Sequence, residues 1–191
     1  LTVLIFVFAI GPNYEMYNKI GVGIIWTILL LSTNLSLKKL YQDDFEDGNI
    51  VLFMISGLSL EVMIFIKIIT SWLFFQIPFL LIILISTIIL NIDTQKMYLL
   101  IITFLISSLI LTNITSISGS MNLLNDRNYT MGSLVVMLLS IPVIIFSVGI
   151  INGSLSFYNP QLEILLGILM FFLAITPWVS SKCIKIAIES K

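Results

Sequence analysis

The sequence KKLYQDDFEDGNI, residues 38–50, carries the densest charge in the chain. Read as a helix, it places its apolar residues on one face and its charged residues on the others. The apolar set comprises Leu37, Leu40, Tyr41 and Phe45. Gly48 is a helix stop, because glycine adopts the left-handed conformation at the end of a helix without steric cost. The stretch is therefore predicted to be an amphipathic helix that ends near Gly48.

The carboxylates of this stretch are badly placed for local helix stability. Those in its last turn are Asp44, Glu46 and Asp47. Carboxylates near the C-terminus of a helix are unfavourable, because the helix dipole is negative there. A basic partner outside the chain would explain them, and a solvated helix at the membrane interface is the alternative. A calcium loop is disfavoured, because DDFEDG lacks the alternating ligands and distal glutamate of an EF-hand.

The composition is that of a polytopic membrane protein. Of the 191 residues, 59% are hydrophobic and only 10% are charged, and the mean hydropathy is +1.13. Soluble domains carry about 25% charged residues and keep their apolar runs short. We therefore expect an all-α membrane protein.

Several functions are disfavoured by residues that the chain lacks. It has no histidine and one cysteine, Cys183, so it offers neither the usual general base nor a thiolate metal cage. The net charge is −1 and the only basic pair is Lys38–Lys39, so nucleic acid is not an expected partner. No GxxxxGK[ST] sequence is present to bind nucleotide phosphates. We therefore expect no enzymatic activity from this chain alone.

Six transmembrane helices are predicted from apolar runs, all but the first of about the length that a membrane span needs. They cover about residues 1–11, 20–37, 68–90, 97–118, 131–151 and 164–179, with a cytoplasmic coupling segment at 38–61, all in one domain of residues 1–191. The first run is too short to span, so we expect an N-terminal part to be missing. Within the coupling segment, the apolar residues 51–60 are interpreted as an interfacial or re-entrant piece.

Two predicted spans have features of their own. Pro78 is expected to kink the third span, because proline removes a backbone donor. In the fourth span, small residues recur at spacings of three and four, a pattern by which membrane helices approach closely. They are Thr112, Thr115, Ser116, Gly119 and Ser120. Packing inside the bundle is favoured for them over a subunit contact or a substrate-lining face.

The distribution of basic residues predicts the orientation. One set of loops and ends holds Lys38, Lys39, Arg127, Lys182, Lys185 and Lys191, with Lys67 at its border, whereas the opposite loops hold only Lys19 and Lys96. Cytoplasmic loops are the ones enriched in Lys and Arg, so the coupling segment is predicted to be cytoplasmic. The spans contain almost no ionisable residue, since Glu61, Asp93 and Glu163 fall at predicted boundaries. Ion-coupled transport is therefore disfavoured.

The run GIIWTILLLSTNLSLKKLYQDDFEDGNI, residues 23–50, resembles the haem exporter protein B family (CcmB) of cytochrome c maturation. The likeness continues in looser form through Lys67 and Trp72 at the start of the third span and the proline-centred fifth span that contains IFSVGI. A proline near the end of the sixth span also matches. About twenty to thirty N-terminal residues look absent relative to the family, which agrees with the short first run.

The resemblance implies a transmembrane subunit of an ABC-type transporter, assembled with the ATPase CcmA, with CcmC and CcmD, and indirectly with the haem chaperone CcmE. A homodimer within the complex and location in the inner membrane of a Gram-negative bacterium are expected, with the mitochondrial inner membrane as the alternative. No cofactor is expected on this chain, because haem and ATP would be handled by partner subunits. Met131, Met137 and Met170 are accordingly interpreted as apolar filling.

The expected ATPase-binding residues combine an apolar anchor with a charged rim. They are Leu40, Tyr41, Asp43, Asp44, Phe45, Glu46, Asp47 and Gly48. A second functional class stays open, a membrane scaffold without transport activity that holds assembly factors together. That class predicts that loss of the ATPase contact leaves function intact.

Overall fold

A computed structural model describes residues 2–11, 14–89, 94–124, 130–153 and 160–190, and over these residues the chain is helical with no strand. The helices are α1 (Thr2–Ile10), α2 (Tyr14–Glu46), α3 (Asn49–Ile55), α4 (Leu60–Ser71), a π-helix (Trp72–Gln76), α5 (Ile77–Ile89), α6 (Thr94–Asn122), α7 (Thr130–Asn152) and α8 (Pro160–Glu189). This architecture confirms the expected all-α class.

Helix α2 joins the predicted second span and the charged stretch into one helix of 33 residues. No glycine or proline interrupts residues 24–47, so nothing in the sequence breaks the helix before Gly48. Gly48 has φ 76°, the left-handed conformation that glycine adopts most readily. The predicted helix stop is therefore confirmed, and the chain turns there into α3.

Helix α4 begins at Leu60, eight residues before the predicted start of the third span at residue 68. The predicted span starts later than the helix because Glu61 and Lys67 look like interface charges in the sequence. In the structure both charges are accommodated in ion pairs with neighbouring helices. With the π-helix and α5, α4 forms one continuous run over Leu60–Ile89.

The irregularity expected at Pro78 takes the form of the π-helix that directly precedes it. The backbone N–H of Ile77 bonds to the carbonyl of Trp72, five residues earlier, which is the π-helical pattern. Proline has no N–H to donate and its ring crowds the carbonyl four residues before it. The wider turn lies over the residues that this ring would crowd.

Helix α6 is the centre of the bundle and packs against α2, α7 and α8. Its buried surface is rich in hydroxyl groups, which are satisfied largely within the helix. Thr103, Thr112 and Thr115 each donate to the carbonyl four residues earlier, at 2.7, 2.8 and 2.7 Å. The small residues singled out above are all buried, which agrees with the packing interpretation.

The apolar interior divides into two clusters. The larger, here the central core, includes Trp26, Ile83, Phe104, Val143 and Leu165. The smaller, here the end cluster, lies where α2 ends and α4 begins. It consists of Leu40, Tyr41, Ile50, Leu60, Met63, Ile64, Ile68, Leu123, Ile184 and Ala187, with Phe45 and Ile188 packed against it.

Four helical runs of the described chain are long and apolar enough to cross a membrane: Leu60–Ile89, Met97–Asn122, Gly132–Asn152 and Pro160–Glu189. They coincide with the predicted third to sixth spans, although the helix containing the sixth runs on to Glu189. The apolar part of α2, Ile20–Asn34, is shorter. The chain is thus an all-helical membrane protein by length and composition.

The loop positions Asp93, Asp126 and Arg127 lie outside the described residues, as do the side chains of Lys38 and Lys39.

Candidate functional site

The candidate site is the α2–α3 segment, defined as residues 40–58. It comprises the last turns of α2, the turn at Gly48, helix α3 and the turn at Gly57, which has φ 85°. Both glycines adopt a conformation that other residues rarely accept, so the two turns fix where the short helix begins and ends. The segment thereby projects a seven-residue helix from the end of the bundle.

Helix α3 exposes almost all of its apolar side chains. Only Ile50 is buried, in the end cluster. Its exposed residues are Val51, Leu52, Phe53, Met54 and Ile55, with Leu58 in the following turn. The most exposed are Leu52 at 63% and Ile55 at 77%. A contiguous exposed apolar patch of this kind marks a surface for a partner or for lipid.

Carboxylates lie on the neighbouring turns of α2. Asp43, Glu46 and Asp47 are exposed, and Glu46 accepts a 2.7 Å hydrogen bond from the side chain of Gln42. The amide of Asn49 donates to Asp44 at 3.3 Å, which ties the start of α3 to the end of α2. An apolar patch with a charged rim is the usual anatomy of a protein interface.

The structure places Leu40 and Tyr41 inside the molecule rather than on this surface. Leu40 is 8% exposed and Tyr41 is fully buried, and both belong to the end cluster. Their interpretation as partner contacts needs correction, because their apolar surface is already covered by α4, α6 and α8. Phe45 is half-buried against the same cluster, so its role as a fully available anchor is also reduced.

Tyr41 begins a chain of hydrogen bonds that crosses from α2 to α6 and on to α8. Its hydroxyl shares a 2.7 Å hydrogen bond with Ser116 of α6, and Ser116 in turn lies 3.3 Å from the hydroxyl of Ser180 in α8. Burial raises the pKa of the Tyr41 hydroxyl, and the bond with Ser116 offsets this only in part. The hydroxyl therefore stays protonated at physiological pH.

Lys67 of α4 contacts the segment from a neighbouring helix. Its ammonium donates to the carbonyl of Leu40 at 2.8 Å and pairs with the carboxylate of Asp44. It also lies 5.2 Å from the centroid of the Tyr41 ring, within the range of a cation–π interaction. Asp44 is therefore engaged in an ion pair with another helix of the same chain.

A second polar contact holds the start of α4 on α8. Glu61 lies 4.0 Å from the ammonium of Lys185, and both side chains are substantially exposed. Such a pair contributes little to stability, because water screens the charges. Of the two ion pairs, Lys67–Asp44 is the less exposed.

The described residues at this end do not form the ligand set of a metal site. Among the described residues, no three His, Cys, Asp or Glu side chains are grouped as a metal site would require. The segment offers exposed apolar and acidic groups, which suits it to binding a protein partner.

Sequence reasoning found the acidic rim and the turn at Gly48 but missed the exposed apolar face of α3. In a membrane protein, an apolar run looks alike whether it faces lipid, the core or a partner. The available signal was the pair Gly48 and Gly57, which isolates residues 49–55 from the flanking helices. The contacts of Lys67 were also missed, because they depend on packing between distant residues.

Known proteins resemble this chain over nearly its whole length. The family model described as CcmB protein matches residues 1–187. Heme exporter protein B of Haemophilus influenzae is 27% identical over 100% of this chain and 87% of its own length. Heme exporter protein B of Bradyrhizobium diazoefficiens is 29% identical over 97% of this chain and 85% of its own length. Given the match to the family model along the chain, this protein belongs to the CcmB family.

Proposed function

We propose that this chain is the transmembrane subunit of an ABC-type transporter complex in cytochrome c biogenesis, acting in haem export or in ATP-driven release of a haem-loaded chaperone. The observation that carries the proposal is the α2–α3 segment, an exposed apolar helix with an acidic rim at the end of a membrane bundle. The relatives named Heme exporter protein B support the connection to haem.

The segment is proposed to receive a separate ATPase subunit, CcmA in this family. Leu52 and Ile55 would supply apolar contact, whereas Asp43, Glu46 and Asp47 would complement a basic rim on the partner. This assignment moves the apolar anchor from Phe45 to α3, because Phe45 is half-buried against the end cluster. CcmC, CcmD and CcmE remain proposed members of the complex, and a second copy of this chain its proposed symmetric partner.

Charge reversal on the rim tests the docking. Asp43→Lys combined with Asp47→Lys should release the ATPase during purification from membranes, because like charges would then face the partner's basic rim. Glu163→Lys combined with Glu189→Lys reverses two exposed carboxylates of α8; it is the matched control and should retain the ATPase. Normal co-purification of the Asp43/Asp47 variant at physiological salt would refute the assignment of the rim.

The apolar half of the surface has its own test. Leu52→Ala and Ile55→Ala should each weaken ATPase binding by about 1 to 2 kcal/mol, as expected when an exposed anchor is truncated. Ile88→Ala is the control, since Ile88 is 79% exposed but lies near the opposite end of the Leu60–Ile89 run. If docking is lost and cytochrome c is still assembled, the scaffold function is correct and the transporter function is not.

The proposed orientation places this end in the cytoplasm of a Gram-negative bacterium. Cys183 is half-buried in α8 and lies one turn beyond Ser180, so it reports on the same end of the bundle. An impermeant thiol reagent should leave Cys183 unmodified in intact cells and modify it in inverted membrane vesicles. Modification from outside the cell would reverse the orientation.

Haem ligation is proposed to belong to partner subunits. Haem iron in proteins is held chiefly by His, Cys, Met or Tyr, and this chain has no histidine. Met137 and Met170 are 45% and 69% exposed on the outside of the bundle, which fits lipid contact. The purified chain with added haem should give a broad, non-stoichiometric spectrum. A stoichiometric six-coordinate spectrum that survives gel filtration would contradict the proposal.

A further inference from the structure

Lys67 occupies an unusual position in the helical run that begins at Leu60. It is the only charged residue between Glu61 and Gln76, and its neighbours Phe65, Ile66 and Ile69 are exposed apolar residues. A cation in such surroundings is costly unless it is paired, because hydrocarbon solvates charge poorly. The side chain is half-buried, so its position is set by the groups it contacts.

All the contacts described for its ammonium lie within one turn of α2. They are the Leu40 carbonyl at 2.8 Å, the Asp44 carboxylate and the face of the Tyr41 ring at 5.2 Å. An ammonium has three donors, so one side chain can serve several acceptors at once. The contacts also lie in the C-terminal part of α2, where a cation is favoured by the helix dipole.

These contacts contribute more to geometry than to stability. Lys67 and Asp44 retain 21% and 31% side-chain exposure, so water screens much of their attraction. Three partners of different chemistry nevertheless define one position for the end of α2 relative to α4. On its other side the same turn is bonded to α6 and α8 through Tyr41, Ser116 and Ser180.

We propose that Lys67 is a positioning residue that fixes the α2–α3 segment to the α4–α5 run, so that movement imposed on the segment by the ATPase reaches the membrane. The inference rests on the proposed function, in which that segment is the ATPase-binding surface. Lys67 itself has no part in docking, because its contacts are directed to α2. Its loss therefore uncouples ATP turnover from the work done in the membrane.

The test uses the intact complex carrying Lys67→Met. We expect normal co-purification of the ATPase and unchanged ATP hydrolysis, with cytochrome c assembled per ATP consumed reduced about tenfold, within the range usual for coupling between sites. Lys67→Arg keeps the charge and should restore most of the yield. Lys185→Met is the matched control and should behave like the unaltered complex, since its 4.0 Å pair is exposed.

A charge exchange separates the ion pair from the three-way contact. Asp44→Lys combined with Lys67→Asp keeps the pair but removes the donor to the Leu40 carbonyl and the cation over Tyr41. We expect it to stay uncoupled, like Lys67→Met. Full recovery would overturn the three-way contact and leave a simple ion pair.

A direct measurement of geometry guards against variants that simply misfold. Spin labels at Ser56 and Thr70, both exposed, report the position of the segment relative to α4 when Cys183 is replaced by Ser. The distance distribution should broaden in Lys67→Met and stay narrow in Lys185→Met. An unchanged distribution, or a broadened one with normal cytochrome c yield, overturns the positioning role. If no ATPase co-purifies even with the unaltered chain, the proposed function itself fails.

Discussion

The central core and the end cluster are both apolar, but polar groups hold them together in different ways. Around the central core, hydroxyls of α6 such as Thr103 and Thr112 bond to carbonyls of their own helix. At the end cluster, polar groups bond between helices, through Tyr41 with Ser116 and through Lys67 with Asp44. In its middle the bundle joins helices mainly by shape, with an interhelical bond from the Trp72 indole N–H to Ser108 at 2.9 Å, whereas at one end several polar contacts fix their relative position.

Truncating a large side chain in the central core should have the largest effect. Trp26 is 1% exposed and stacks on Phe104 with 6.1 Å between ring centroids. Trp26→Ala should lower the free energy of unfolding by about 3 to 5 kcal/mol, because it leaves a cavity in a packed interior. Denaturant titration of the purified protein in detergent measures this. Trp178→Ala is the control, since Trp178 is 67% exposed, and an equal loss there would show that shape packing is not what holds the core.

High pH should weaken the end cluster specifically. The folded-state pKa of Tyr41 is raised by burial, whereas an unfolded tyrosine titrates near pH 10. Above about pH 10 the unfolded chain releases the Tyr41 proton and the folded chain keeps it. The stabilisation from the protonated Tyr41 is therefore complete below about pH 10. Above that pH it is lost, at up to about 1.4 kcal/mol per pH unit. Unfolding measured between about pH 9 and 12 tests the slope. Tyr41→Phe should remove the Tyr41 contribution to this slope. An unchanged slope in that variant would mean that another group causes the pH dependence.

Deleting the Tyr41 hydroxyl, which begins the hydrogen-bond chain across three helices, should have a moderate effect on stability. Tyr41→Phe should cost about 1 kcal/mol, the usual value of a buried hydrogen bond. Combined with Ser116→Ala in a double-mutant cycle, it should show a coupling of about 0.6 kcal/mol, as is common between membrane helices. Full additivity of the two changes would mean that the hydroxyls do not hold the end cluster together.

The smallest expected effect concerns the join between α6 and α7. The side chain of Asn122 accepts a 3.1 Å hydrogen bond from the backbone N–H of Gly132, and a Cβ at Gly132 would lie 2.5 Å from its amide atoms. Gly132→Ala should therefore displace Asn122 and cost about 0.5 to 1 kcal/mol. Gly167→Ala, with no atom within 4 Å of the added Cβ, should not destabilise the protein. Thermal unfolding of both variants side by side makes the comparison.

The sequence predicted the parts of the fold that depend on local patterns. The amphipathic pattern of residues 38–50, which contains Gly48, was enough to predict a helix that carries the acidic stretch and then stops. The start of α4 could not be predicted, because Glu61 and Lys67 resemble interface charges until their partners Lys185 and Asp44 are known.

The candidate site was also predicted only in part, because local patterns show in the sequence and contacts between distant residues do not. Exposed carboxylates such as Asp43 and Asp47 follow from the helical pattern of residues 38–50. The burial of Tyr41 does not, because its partner Ser116 is 75 residues away in the chain. Leu40, Tyr41 and Phe45 do share an apolar face of α2, but a helical pattern cannot say whether such a face meets another chain or the same one.

The π-helix has a consequence for how the long run should be compared between related chains. A π-helical turn holds about one more residue than an α-helical turn, so it is equivalent to a single inserted residue. Because the wider turn already accommodates the extra residue, removing one residue from Trp72–Gln76 would restore α-helical geometry and leave α5 close to its present rotation relative to α4. Ile83 would then stay in the central core, and the end cluster would keep Ile64 and Ile68. An alignment gap of one position at this point would thus record a change of length rather than a change of helical phase.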